Sequence, residues 1–133
     1  MATINSFQDL IIFKEALDLA KQIFALTKDP PFVYDNRFVQ QIRAASGSIM
    51  DNIAEGFERE GNKEFIHFLY IAKGSCAEVQ SQIIRAYDCE HINKKQAQEL
   101  YDKTKVITIG IKHLIDKLNS SDFKGFKYKD KTN

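Results

Sequence analysis

Four blocks of the chain carry apolar residues at i, i+3, i+4 and i+7, and no convincing strand alternation interrupts them. That pattern restricts the fold more than any other feature: the chain is expected to be all-α, an antiparallel up-down four-helix bundle. The first helix is expected from about Phe7 to Lys28. Asp29-Pro30-Pro31 stops it, because proline has no amide to donate and disfavours helix in the residue before it. The second runs from about Arg37 to Glu55 and ends at Gly56, a residue suited to a left-handed C-terminal cap. Gly61-Asn62 supply a break and an N-cap for the third, which continues to about Glu90. Asn93 caps the fourth, which runs through Leu118 until Asn119-Ser120-Ser121 ends it. Residues 1–119 are thus expected to form the bundle domain and 120–133 a basic-aromatic tail.

Stepping 100° per residue shows what each helix buries. The fourth has a compact stripe of Leu100, Ile107, Ile111, Leu114 and Leu118, with Thr104 in line. The third has Phe65, Leu69, Ala72, Cys76, Val79, Ile83 and Tyr87. The first is different: from Ile12 through Leu19 to Leu26 its apolar residues cover more than half the circumference. Val106 and Ile109 likewise lie behind the main stripe of the fourth. A bundle helix needs one stripe, and a second usually meets another protomer. A homo-oligomer is therefore expected, with Ile12, Leu19, Leu26, Val106 and Ile109 as interface candidates. The competing reading is deeper burial of the first helix within one protomer.

At 133 residues the chain is long enough for one domain that buries roughly two thirds of its unfolded surface. Its 44% hydrophobic and 28% charged residues suit a soluble globular protein rather than a disordered one. No apolar run reaches a membrane span, and the N-terminus lacks the plan of a signal peptide. Cys76 and Cys89 belong to no CxxC and read as reduced thiols, so a cytoplasmic protein without membrane contact is expected.

Catalytic and metal-binding patterns are sparse. A di-iron bundle needs two Glu-x-x-His motifs, and only Glu64-Phe65-Ile66-His67 has that form, on the side away from the core. His91 and His113 have no zinc-spaced partners, Ser48 has no nucleophile-activating neighbour, and Gly74-Ser75 is mid-helix with no phosphate-loop motif. A glycine there disfavours the helix by ~1 kcal/mol against alanine, which suggests close helix approach at Gly74. No cofactor and no enzymatic activity are expected.

Basic residues are the better candidates. Net charge is +1, but residues 1–90 hold 9 basic against 13 acidic side chains, and 91–133 hold 10 against 5. Lys14, Lys21 and Lys28 recur at seven-residue spacing. Lys94, Lys105 and Lys112 share one side of the fourth helix. The tail interleaves Phe123, Phe126 and Tyr128 with Lys124, Lys127, Lys129 and Lys131. Lysines neutralise phosphates and aromatics stack on unpaired bases, so these seven lysines of the fourth helix and tail are the candidate nucleic-acid contacts. The bland alternative is that the helical lysines only solubilise flanks of apolar stripes, while the tail is disordered or docks on a neighbouring protomer.

"FQDLIIFKEALDLAKQIFALT", "QIRAASGSIMDNIAEGFERE" and "EFIHFLYIAKGSCAEVQSQI" resemble, in order and spacing, the bacterial four-helix-bundle proteins encoded by intervening sequences of large-subunit ribosomal RNA genes, once mislabelled ribosomal. The resemblance covers Phe7 to Leu118. Its motif residues here are Gln41, Arg43, Ser48, Asn52, Glu55, Gly56 and Gly74. It implies a bundle that assembles into a homo-oligomeric ring, typically a pentamer, without known catalytic activity. A more distant likeness is to the accessory variability protein of diversity-generating retroelements, which associates with nucleic acid. Ala44 and Met50 depart from the family, where arginine and proline are common.

Gln41, Ser48, Asn52 and Glu55 fall on one edge of the second helix, beside its apolar stripe. They either fix helix register through local hydrogen bonds or face a ring lumen or ligand. Two functions follow: an oligomeric accessory module that binds RNA or DNA, and a scaffold for an unidentified protein partner.

Overall fold

The computed structural model describes residues 3–120. Over that span the backbone forms a short 3₁₀ turn, Phe7–Asp9, and four helices. These are α1 (Ile11–Leu26), α2 (Asn36–Glu58), α3 (Gly61–Asp88) and α4 (Lys94–Asn119). No strand occurs among the described residues.

Cross-helix pairs give the topology directly. Between α2 and α3 the pairs Gln41–Arg85, Ser48–Ser75 and Gly56–Phe65 run in opposite numerical directions. The same holds for Asn62–Leu118 and Cys76–Thr104 between α3 and α4, and for Ile12–Gly110 and Asp18–Lys103 between α1 and α4. Sequential helices are therefore antiparallel neighbours, and α4 returns to lie beside α1.

Start and stop signals explain most boundaries. Asn93 accepts from the Gln96 amide at 2.8 Å while the Gln96 side chain accepts from the Asn93 amide at 2.9 Å, a reciprocal cap that starts α4. Asp35 caps α2, accepting from the Phe38 amide at 3.4 Å. The N-terminus of α1 is set back from expectation. Asp9 Oδ2 accepts from the Asn5 and Ser6 amides, closing the 3₁₀ turn, and extended Leu10 separates it from α1. Those two amides hold the Asp9 carboxyl below its ordinary pKa.

Two glycines do other work than expected. Gly56 does not end α2: the helix runs on to Glu58, and Gly56 is buried where a Cβ would stand 2.7 Å from Phe68 Cβ. Its job is close approach to α3. Asn62 lies inside α3, with Glu60 at the N-cap position, and its amide donates to the Leu118 carbonyl at 3.2 Å. Gly61, at φ +78°, takes the corner between α2 and α3, a conformation that L side chains rarely adopt.

The core is one continuous cluster fed by all four helices, centred on Leu19, Ile23, Ile42, Ile49, Ile53, Leu69, Ile83, Ile107 and Ile111. The expected stripes of α3 and α4 are buried with two changes: Ala86 takes the place of Tyr87, which is exposed, and Ile115 joins α4 while Leu114 is only partly buried. Burial also corrects the interface expectation for α1. Ile12 and Leu19 lie inside the protomer at 6% and 0% exposure, and Leu26 packs partly buried against the same core. Neighbours on both flanks of α1, with the 3₁₀ turn packed near its start, cover more than one stripe. The large apolar residues that α1 leaves outside are Ile11, Leu17 and Phe24.

Candidate nucleic-acid interface

The polar edge of α2 lies along its seam with α3, and Arg43 stands on the opposite flank, toward α1. Ser48 Oγ and Ser75 Oγ share a hydrogen bond of 2.9 Å between α2 and α3. Asn52 Nδ2 donates to the Ser48 carbonyl at 2.8 Å and to Ser48 Oγ at 3.0 Å, orienting that serine. Gln41 Oε1 accepts from Arg85 at 3.1 Å, and the Arg85 guanidinium lies 3.8 Å from the Phe38 ring centroid. Arg43 Nε donates to Thr27 Oγ1 at 2.9 Å, crossing to α1. Glu55 pairs with Arg59 one turn on, at 2.8 Å and half exposed. Gln41, Arg43, Ser48 and Asn52 are thus used for fastening. Each bond of this kind contributes about 1 kcal/mol; those of Gln41, Arg43 and Ser48 cross to neighbouring segments, while the Asn52 bonds stay within α2.

Gly74 is exposed with nothing within 4 Å of a Cβ placed on it, so no helix approaches it closely. The close approach of α4 to α1 occurs at Gly110, where a Cβ would lie 2.7 Å from Ile12 Cγ2. Sequence reasoning passed over Gly110 because α4 is amphipathic with or without it.

Of the candidate nucleic-acid contacts, Lys94, Lys105 and Lys112 are exposed on α4. None of the three forms an ion pair among the described residues. They lie toward the edge of α4 that borders α3, where Thr104 and Thr108 bond Gln80 and Cys76. Lys103, on the α1 side, is paired with Asp18 at 2.9 Å. Lys124, Lys127, Lys129 and Lys131 lie outside the described residues. Of the interface candidates, Val106 and Ile109 are 52% and 53% exposed, one turn apart on α4.

Open grooves of about 420 Å³ between α1 and α4 and about 540 Å³ between α2 and α3 flank these faces. Charged or polar side chains line both, with Ile11 and Val106 in the first. Among the described residues no group of three or more His, Cys, Asp or Glu side chains could hold a metal. Glu64 and His67 are exposed. Cys76 is buried beside Thr104 and Thr108, and burial pushes its thiol pKa up; Cys89 is an exposed free thiol. No described helix is long and apolar enough to cross a membrane.

A second cluster was not legible in the sequence. His91, in the turn between α3 and α4, has its Nε2 2.9 Å from Asp35 Oδ2 and its ring against Phe32 and Phe38. The bond from His91 holds the Asp35 carboxyl below its ordinary pKa and ties the α3–α4 turn to the cap of α2.

Comparison with known proteins fits this frame. A family model described as 23S rRNA-intervening sequence protein matches residues 8–113. The chain belongs to that family. A crystal structure of a protein of unknown function from the S23 ribosomal protein family of Bacteroides thetaiotaomicron has the same fold. It superposes with a TM-score of 0.69 at 20% identity, covering 79% of this chain and 98% of that one. No curated protein matches. The fold of this intervening-sequence protein is thus established from α1 to α4, and its surface has to speak for function.

Proposed function

We propose that this intervening-sequence protein is a non-enzymatic, homo-oligomeric accessory module that binds RNA or DNA in the cytoplasm, with a pentameric ring as the expected assembly. The observation that carries the reading is the edge of α4. Lys94, Lys105 and Lys112 stand exposed and, among the described residues, without carboxylate partners, on a helix that holds six lysines against Glu99, Asp102 and Asp116. Unpaired cations along one edge attract phosphates through counterion release. Lys124, Lys127, Lys129 and Lys131 continue the basic sequence beyond α4. The oligomer is supported by apolar side chains exposed on separate faces: Ile11, Val106 and Ile109 around α1 and α4, and Tyr70 and Ile84 on the far side of α3. Two unlike patches suit head-to-tail association, which gives a ring where the rotation between copies closes. In a ring each modest basic edge is repeated, and avidity multiplies its effect.

The same exposed apolar residues favour the second reading, a scaffold that presents them to a protein partner. Replacing Lys94, Lys105 and Lys112 together with glutamine separates the two. The first reading expects weaker retention of a structured RNA and a shallower salt dependence, with the oligomer's mass unchanged. Unaltered binding would remove α4 from the interface.

A further inference from the structure

Phe24 is 47% exposed on α1, and two cations lie against its ring. Lys28 Nζ stands 4.5 Å from the ring centroid and the Arg43 guanidinium 4.3 Å, so the two charges are at most about 9 Å apart. Arg43 reaches over from α2 and is fixed there. Its Nε donates to Thr27 Oγ1, and Thr27 is fully buried, its own hydroxyl directed to the Ile23 and Phe24 carbonyls. The terminal guanidinium nitrogens meet no acceptor among the described residues, and neither Arg43 nor Lys28 has a carboxylate partner there. Two fixed like charges this close repel each other, and an anion shared between them would remove that repulsion. A guanidinium that is held by Nε and offers its remaining donors outward has the fork that suits a phosphate.

The basic edge does not stop there. Lys21 and Lys14 are exposed one and two heptads back along α1, steps of about 10 Å each; Lys14 stands at the α1–α4 groove that Glu15, Asp18 and Asp102 also line, with Asp18 paired to Lys103. A lone phosphate needs only the Arg43–Lys28 pair, whereas a row of cations some 20 Å long matches a chain of phosphates. We propose that Arg43 and Lys28, held on Phe24, form a phosphate site for single-stranded nucleic acid, and that Lys21 and Lys14 carry the strand along α1. This rests on the nucleic-acid reading above but places a contact on the α1–α2 edge, away from Lys94, Lys105 and Lys112.

The test is fluorescence anisotropy of a labelled single-stranded RNA oligonucleotide with the full chain. Lys28→Gln and Lys21→Gln are the principal variants, because both side chains are exposed and their loss leaves the core intact. Each is expected to weaken binding about five-fold and to lower the salt slope by about 1, with unchanged thermal melting. Arg43→Lys keeps the charge but loses the fork and is expected to weaken binding too. If Lys28→Gln and Lys21→Gln bind like wild type while the α4 triple variant loses binding, this site is wrong and the nucleic-acid reading stands. If wild type binds no RNA even at low salt, both fail. A mononucleotide that binds as tightly as the oligonucleotide would overturn the strand assignment.

Discussion

Gly56→Ala and Gly74→Ala make the same chemical change in two helices, and the structure assigns them opposite signs. At Gly56 the new methyl would lie 2.7 Å from Phe68 Cβ, 3.0 Å from Phe65 Cδ1 and 3.4 Å from the Phe65 carbonyl. Phe68 Cβ is fixed to the α3 backbone, so relief requires α2 and α3 to part there. Overpacking of this kind costs about 1–3 kcal/mol, against a gain of up to about 1 kcal/mol from replacing a helical glycine. With the full propensity gain set against it, the expected net loss is up to about 2 kcal/mol, centred on about 1 kcal/mol. At Gly74 nothing lies within 4 Å, so only the propensity gain remains, about 0.5–1 kcal/mol. For a chain of this size 1 kcal/mol moves the melting temperature by roughly 3–5 °C. Urea unfolding followed by far-ultraviolet circular dichroism should place Gly56→Ala below wild type and Gly74→Ala above it. Equal shifts in the same direction would refute the packing argument.

Further outcomes follow from the same geometry. Leu19→Ala should destabilise the protomer by about 2–5 kcal/mol, as a core truncation does, whereas Val106→Ala and Ile109→Ala should leave protomer unfolding nearly unchanged and instead lower the oligomer mass seen by light scattering. Asn52→Ala, which loses two bonds to Ser48, should lower the melting temperature; unchanged stability with lost partner binding would turn the polar edge into a binding feature. Asp35 has its folded pKa below the ordinary 3.8, so its stabilisation is present above that value and is lost as pH falls through the folded pKa. Asp35→Asn should therefore be less stable than wild type at neutral pH, with the gap closing in acid titrations below about pH 4.

Local signals made the helices legible. Asn93 with Gln96, and Pro30-Pro31 after α1, are chemistry that acts within a few residues, and the stripes of α3 and α4 are narrow enough to name their buried faces. What was not legible depends on who stands opposite. A glycine looks alike in sequence whether a neighbour presses on it or not, so nothing local distinguishes the close approaches at Gly56 and Gly110 from the open position of Gly74. The apolar width of α1 is filled from both flanks, which put Ile12 and Leu19 inside. Arg43 was marked only as a motif residue. Its bond to Thr27, sixteen positions away, and its place on Phe24 arise from the α1–α2 crossing.

The central claim is that the protein's basic surface binds nucleic acid electrostatically. Its most direct test is the affinity of the purified wild-type protein for a labelled structured RNA, titrated with salt at fixed protein concentration. Engagement of Lys94, Lys105 and Lys112 alone predicts log K falling against log salt with a slope of about −2 to −3, steeper if the tail lysines or other protomers join. Absence of binding at low salt, or binding indifferent to salt, would contradict the account and leave the exposed apolar faces to a protein partner.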